Sequence, residues 1–455
     1  MIMPQQLDAY INESRARFED LLAQMVETPS ISMDPSRAKD MRRMAGLSEQ
    51  VLIQAGAQAE IVETGGYPIV SGGWTTGSEH PTVTVYNHMD VQPAQEPEWR
   101  HAPFAFRNDG GIYRGRGATD DKGPALAALF GARVAIEQGV PINIRFVWEL
   151  EEEIGSPHFA AGLRHRAAIP RPDSVIVSDT IWIAKGRPAM PYGLRGLLGA
   201  RLTLRTGSKD AHSGVTGGAA RNPLAELIEV AQACVNAKTG EVKIPGFYTD
   251  VVKPTREEIK SFLKSGFQVK RFKEAYGLHS LRTDDPAEVT RRIWAAPTFE
   301  IHGLTGGYHG PGVKTVVPGH GELKVSMRLV PDQTPEKVFS LLKQYVAKLN
   351  PSVKVEPEGM LHPFKGSFEG PYVECVKRAA KAGFGNEPAF IREGGSIGAV
   401  VTMQKTWKVP ILFLGLSLPE HGYHAPNEYF DWGQASGGMK AFAHYFMELA
   451  KMGKR

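Results

Sequence analysis

The sequence predicts an α/β protein in which a mixed sheet, with helices on its faces, is interrupted by an inserted α+β unit. Three observations predict it. Helical and strand patterns alternate through residues 1–195, the pattern changes character near residue 196, and helix and apolar-strand patterns return after residue 357. Alternation of the first kind is the habit of a sheet covered by helices, and a separate run of alternating strands and helices marks a second core.

The elements follow in order. "MIMPQQLDAYINESRARFEDLLAQMVETPS" reads as an amphipathic helix, and a second helix is expected near 37–55. "AEIVET" (59–64), "TVTVYNH" (82–88), "NIRFVWELE" (143–151) and "DSVIVSD" (173–179) are apolar runs of strand length, rich in β-branched and aromatic residues. Between the second and third, "KGPALAALFGARVAIEQG" (122–139) sets alanine and leucine on one side and closes on glycine, as a helix does. From "LLGARLTLRTG" onward come an alternating strand, a helix (222–237), a basic, charge-rich helical stretch, a second alternating strand "ELKVSMRLV" (322–330) and a helix (334–350). The C-terminal part returns to helix, loop, the apolar strand "VPILFLGLS" (409–417) and a closing helix "GGMKAFAHYFMELAKMG" (437–453). The first domain is therefore expected to be discontinuous, 1–196 and 358–455, around an insertion spanning 197–357. "LGARLTLRT" is expected as an edge strand of that insertion, where it would invite pairing with a second copy.

Composition narrows the function. The chain has 455 residues, 42% hydrophobic and 22% charged, with 53 basic and 49 acidic residues giving a net charge of +4. That is ordinary for a globular protein, and no basic block is interleaved with aromatics, so the expected partner is a small molecule or peptide rather than nucleic acid. Cys234 and Cys375 are the two cysteines, which excludes a disulfide framework and a cysteine-based zinc site and favours a reducing compartment. The N-terminal segment has no signal-peptide apolar region, and no run of about 18 apolar residues suggests a membrane span, so a cytoplasmic location is expected.

Chemistry-bearing residues gather where strands end. "TVTVYNH" ends in His88, with Asp90 two residues on; "RFVWELEEEIGS" ends in Glu151, Glu152 and Glu153; "SVIVSD" ends in Asp179. In open α/β sheets the ligand crevice lies beyond the carboxyl ends of the strands, so these side chains should converge. "GRGATDDKG" adds Asp120 and Asp121 before a helix start, and "HGYHAPNE" adds histidines after the last apolar strand. Singly, each cluster has a plain structural reading: a hydrogen-bonded His–Asp pair, a helix cap, a solvated acidic face. Together, carboxylates crowded in one crevice repel one another unless cations neutralise them. Imidazoles with three or more acids suit two zinc ions about 3.5–4 Å apart that share a carboxylate.

The motifs "HMDVQP", "GRGATDDKG", "ELEEEIGS", "VSDTIW", "YGLRG", "DAHSGVTGG", "GVKTVVP", "VSMRLVP", "REGGSIG" and "HAPNE" resemble, in order, those of the dinuclear zinc metallopeptidases. That family includes carnosinases, cytosolic nonspecific dipeptidases, succinyl-diaminopimelate desuccinylases and aminoacylases. The resemblance runs over nearly the whole chain and is greatest to the carnosinase-like dipeptidase branch. It implies a zinc exopeptidase catalytic domain with an inserted lid and dimerisation domain, and two divalent ions, zinc first with manganese or cobalt as alternatives. It implies that His88 and Asp179 hold one metal, Glu153 and His424 the other, and that Asp120 bridges both. Asp90 would then sit behind His88 and fix its tautomer, and Glu152 would serve as general base. The resemblance also implies a cis Asp120–Asp121 peptide. In the lid it implies that His212 reaches the partner's site in a homodimer to polarise the substrate carbonyl, and that Thr315, Arg328, Gly395 and Ser396 hold the substrate. One departure stands out: carnosinase-type sequences carry paired aspartates just before the final metal histidine, and this chain has Glu420 and His421 there. That change leaves room for an N-acyl amino acid as substrate beside a dipeptide.

Overall fold

Buried at every position after its first, Thr82–His88 lies inside a six-stranded sheet, which is why its sequence is apolar without alternation. The structure, a computed structural model, describes residues 4–454. The sheet order is Gln58–Val62, Ile69–Trp74, Asn143–Glu149, Thr82–His88, Ser174–Val177, Ile411–Phe413. The last four run parallel, and Ile69–Trp74 is antiparallel to both of its neighbours, so the sheet is mixed as expected.

Four helices pack together beside it: Pro4–Val26, Gly123–Glu137, Pro371–Phe384 and Trp432–Met452. The first expected helical residues, 1–3, lie outside the described residues. Trp432–Met452 presses closely on two of its partners. A Cβ at Gly131 would lie 2.7 Å from the Met439 carbonyl oxygen, and one at Gly383 would lie 2.4 Å from that of Gly437. The closing helix starts earlier than its apolar pattern suggests, because the Asp431 side chain caps it by accepting the Gln434 N–H at 2.9 Å.

The second core lies between residues 196 and 361. An antiparallel sheet in the order Glu300–Gly306, His320–Leu329, Gly196–Arg205, Lys354–Leu361 buries one face against helices Pro223–Cys234 and Pro335–Leu349. Leu198, Leu202, Leu323 and Val325 point into it with Leu227, Val230, Leu342 and Val346. Gly196–Arg205 alternates buried and half-buried side chains along its length until Arg205. The expectation of an edge strand here is corrected: Gly196–Arg205 is paired on both sides, by His320–Leu329 and by Lys354–Leu361. Alternation shows that one face of a strand is covered but not where the strand stands in the sheet order. The two edges are Lys354–Leu361 and Glu300–Gly306, the latter with Ile301 and Leu304 open to solvent.

A small sheet of Phe364–Lys365, Ala189–Leu194 and Ala389–Glu393 stands between the two cores. The charge-rich stretch folds onto it as helices Arg256–Lys264 and Pro286–Ala295, through Phe262 and Trp294 packed with Tyr192 and Ile391. Glu258, in a capping box with Thr255, also accepts from Tyr192 at 2.9 Å and from Arg392.

Candidate metal centre

Because the four parallel strands share a direction, their carboxyl ends open on one edge of the sheet. His88 closes its strand, a short turn Glu152–Ile154 follows Asn143–Glu149, Asp179 lies two residues beyond Val177, and His424 lies in the loop after Ile411–Phe413. The loop before helix Gly123–Glu137 brings in Asp120 through a cis Asp120–Asp121 peptide. Donor atoms of His88, Glu152 and Asp179 lie within 4.8 Å of one another, as do those of Asp120, Glu153 and His424. Asp120 spans the two groups, with Oδ1 3.0 Å from His88 Nε2 and Oδ2 3.1 Å from His424 Nε2. His424 Nε2 is also 3.2 Å from Glu153.

Neighbouring side chains fix these positions. The carboxylate of Asp90 accepts the backbone N–H groups of Glu152 at 3.1 Å and Glu153 at 3.0 Å. It stands 3.5 Å from His88 Nδ1, which donates to the Asp90 backbone carbonyl at 3.0 Å. Glu428 accepts the amides of Gly117, Thr119 and Asp120 on one oxygen and Arg116 at 2.8 Å on the other. Gln92 donates to Glu153 at 2.6 Å. Of the three consecutive acids, Glu151 turns away, accepting from Tyr67 and His158. Asp121 also faces inward, accepting from Asn87 at 2.7 Å.

The donor set fits cations. With its Nδ1–H given to a carbonyl, a neutral His88 directs the lone pair of Nε2 at a carboxylate oxygen 3.0 Å away, and two acceptors face each other. Only a proton or a cation reconciles them. Burial works against a charged His88, yet the hydrogen bonds to Asp120 and Asp90 and the nearby acids raise it well above its usual value. Burial likewise opposes a charged His424, and Asp120 and Glu153 still lift it to about 11. Burial pushes Glu152 well up, with Asp179, Glu153 and Asp90 adding and His88 opposing, and burial carries Asp179 to about 6. Imidazole and carboxylate oxygen are the ligand types that zinc and similar divalent ions take.

The residues expected to hold substrate fall into two places. Arg328 donates to Ser396 Oγ at 3.0 Å, and Ser396 donates to the Arg195 backbone carbonyl, with exposed Gly395 beside it. Arg195 is a second guanidinium at this spot, brought down to about 9 by burial and by Arg328. At the other end of the same loop, Glu393 receives one long bond from the Ile181 N–H at 3.4 Å, and its Oε2 is sealed from solvent without a partner. Burial and the charges of Asp179 and Asp120 raise it to about 8. His212 and Thr315 lie elsewhere, exposed and side by side on the ribbon of Ala211–His212 with Val316–Val317. Among the described residues, His212 makes no hydrogen bond or ion pair to the two donor groups.

The departure near the final histidine does not face this site. His421 is fully buried, bonded to Thr119 Oγ1 at 3.0 Å and to the Leu418 N–H at 3.1 Å, with Asp431 at 3.4 Å. Glu420 is exposed beside Tyr429. The imidazole thus supports the loop that carries Asp120, and the expectation that it alters recognition of a substrate amine is withdrawn.

Glu428, Arg195, Glu393 and Tyr423 were not assigned roles from the sequence, although each stands inside a quoted motif. Tyr423 donates to Asp179 Oδ1 at 3.1 Å.

The model of Peptidase family M20/M25/M40 matches residues 84–448. The Cys-Gly metallodipeptidase dug1 of Schizosaccharomyces pombe is 32% identical, covering 97% of each chain. The human Beta-Ala-His dipeptidase is 29% identical over 97% of this chain and 92% of its own. Among solved structures, that of the dipeptidase Dug1p from Saccharomyces cerevisiae superposes with a TM-score of 0.88 at 29% identity, covering 98% of each chain.

Proposed function

The chain belongs to peptidase family M20/M25/M40, and from that premise we propose that it is a dinuclear zinc dipeptidase acting on dipeptides with a free amino terminus. Metal-dependent hydrolysis of dipeptides is its activity. The substrate's form is carried by one observation: the loop 393–396 has an acid with an unpartnered oxygen at one end and two guanidinium groups at the other. Glu393, with an unpartnered oxygen, lies toward Asp179 and Asp120, and Ser396 lies with Arg328 and Arg195. A zwitterionic dipeptide matches that polarity, its ammonium toward Glu393 and its carboxylate toward the planar fork of Arg328. An N-acyl amino acid would leave Glu393 without a partner.

His88 and Asp179 would hold one ion, Glu153 and His424 the other, and Asp120 both. When bound, the ions polarise the scissile carbonyl and acidify a water. Glu152, whose affinity for a proton is raised by its desolvation, takes the proton from the attacking water and delivers it to the leaving amine. Asp90 keeps Glu152 and Glu153 in register through their amides. Gly395 and Ser396 position the substrate from their loop.

We assign 1–196 and 358–455 to the metal-binding domain and 197–357 to a lid that forms a homodimer. Exposed His212 and Thr315, on the ribbon of the insertion, would complete the partner's site, His212 as an oxyanion donor. The open strand Glu300–Gly306 supports assembly through the lid. No described helix is long and apolar enough to cross a membrane. Cys234 and Cys375 are buried and form no disulfide among the described residues, which supports a cytoplasmic setting. The test is a panel of free dipeptides set against their N-acetyl and N-succinyl counterparts with zinc-, manganese- and cobalt-loaded enzyme. Turnover of free dipeptides alone is expected; turnover confined to acylated substrates would overturn the reading.

A further inference from the structure

We infer that Tyr423 is a positioning residue of the metal centre, dividing the two oxygens of Asp179 so that one is kept for a metal and the other is held by the phenol. The inference rests on the dinuclear reading above. Tyr423 Oη donates to Asp179 Oδ1 at 3.1 Å, and Asp179 Oδ2 is the oxygen turned toward His88 Nε2, at 3.9 Å. The two oxygens of a carboxylate are equivalent acceptors until something occupies one of them. The phenol does so by donating to Oδ1.

The location of Tyr423 gives this bond a second consequence. Tyr423 precedes His424 directly, and the two rings lie 24° apart with centroids separated by 6.3 Å. Gly422 and His424 both adopt left-handed backbone conformations, with φ of 79° and 55°, so the chain turns on either side of the tyrosine. His424 reaches Asp120 and Glu153, and Tyr423 reaches Asp179. One turn of backbone therefore serves both groups of donors. Asp120 joins the groups from within; the Tyr423–Asp179 bond joins them from the rim.

Partners that hydrogen-bond to a metal ligand typically account for about 10- to 100-fold in metal affinity. Phenylalanine keeps the ring and removes only the hydroxyl, so Tyr423→Phe isolates the bond. Stepwise zinc binding would be measured on metal-free wild-type and variant protein by competition with a chromogenic chelator, beside thermal unfolding of both in the metal-free form. One of the two binding steps should weaken about 10- to 100-fold, with the metal-free unfolding temperature unchanged. In an Asp179→Asn background the same change should have no further effect on zinc, because the bond's acceptor is already altered. No weakening at either step, or equal weakening at both with a lowered metal-free unfolding temperature, would overturn the inference and leave Tyr423 a packing residue. Wild-type protein that held fewer than two equivalents would instead overturn the dinuclear reading, and this inference with it.

Discussion

Glu428 Oε1 accepts the backbone N–H of Asp120 at 3.1 Å. The same oxygen takes the amides of Gly117 and Thr119, and the other takes Arg116, so an acid four residues past His424 decides where the shared carboxylate lies. Removing it leaves a buried guanidinium and three amides without their acceptor. Glu428→Ala should destabilise the metal-free protein by about 3–5 kcal/mol, and Glu428→Gln, which keeps one acceptor, by less. Urea unfolding checks both; a loss under about 1 kcal/mol for the alanine would mean that the loop finds other acceptors.

Glu152→Gln should retain both metals and lose turnover. Removal of a general base costs on the order of a hundredfold to ten-thousandfold. Metal analysis of the purified variant beside its kcat checks this, and near-wild-type hydrolysis would assign the proton to another group.

Glu393→Gln should separate the two substrate classes. Losing a charge-assisted bond to an ammonium is worth about 1.5–3 kcal/mol, roughly a tenfold to hundredfold fall in kcat/KM for free dipeptides. N-acetyl counterparts, which bring no ammonium, should be cut no more slowly by the variant than by wild type. An equal fall for both classes would remove Glu393 from amine recognition.

Subunit exchange tests the lid. Inactive Glu152→Gln protein mixed with inactive His212→Ala protein should regain a fraction of wild-type activity, since a mixed dimer holds one site with both groups intact. Demonstrated exchange without recovery would confine His212 to its own chain or exclude it from the reaction.

Stability should fall as pH rises from the acid range to just above neutrality, partly through Glu149. Burial raises this carboxyl from its ordinary 4.5 to about 8, against the hydrogen bonds from Tyr86 and Ser156. The folded state therefore keeps a proton that the unfolded chain releases, and that stabilisation is full below pH 4.5 and lost as pH rises to about 8. Glu149→Gln, neutral throughout, should gain on wild type across that window in unfolding scans at fixed metal content. A pH-independent difference would show that Glu149 is ionised in the native protein.

Much of the centre was legible because its residues follow strands whose apolar pattern marks them out: His88, Glu152, Glu153 and Asp179 each lie at or just past such an end. What escaped depends on partners far away in sequence. Glu428 gains its role from amides more than 300 residues earlier, at Gly117, Thr119 and Asp120, and nothing in "HAPNE" names them. Glu393 is distinguished by what it does not touch. The strand Ile69–Trp74 was missed because "IVSGGW" carries two glycines, which argue against a strand by propensity. The fold requires both of them, since a Cβ at Gly73 would lie 1.9 Å from the Ile144 carbonyl oxygen and one at Gly72 would lie 2.8 Å from that of Gln58.

Arg195 alone separates Ala189–Leu194 from Gly196–Arg205, and the chain returns close by, with Leu194 paired to Phe364 and Leu197 to Leu361. The insertion thus joins the rest through a two-stranded stalk, with its helices Arg256–Lys264 and Pro286–Ala295 packed beside that stalk on Tyr192 and Ile391. If the stalk flexes, Ser396 and Arg328 sit at its fulcrum, where displacements are small. The ten residues of Gly196–Arg205 form a lever arm of about 30 Å leading toward the ribbon of His212 and Thr315. A few degrees at the stalk become ångströms at that ribbon, so the grip on a substrate's carboxylate can form early and stay constant while the far end sweeps into place.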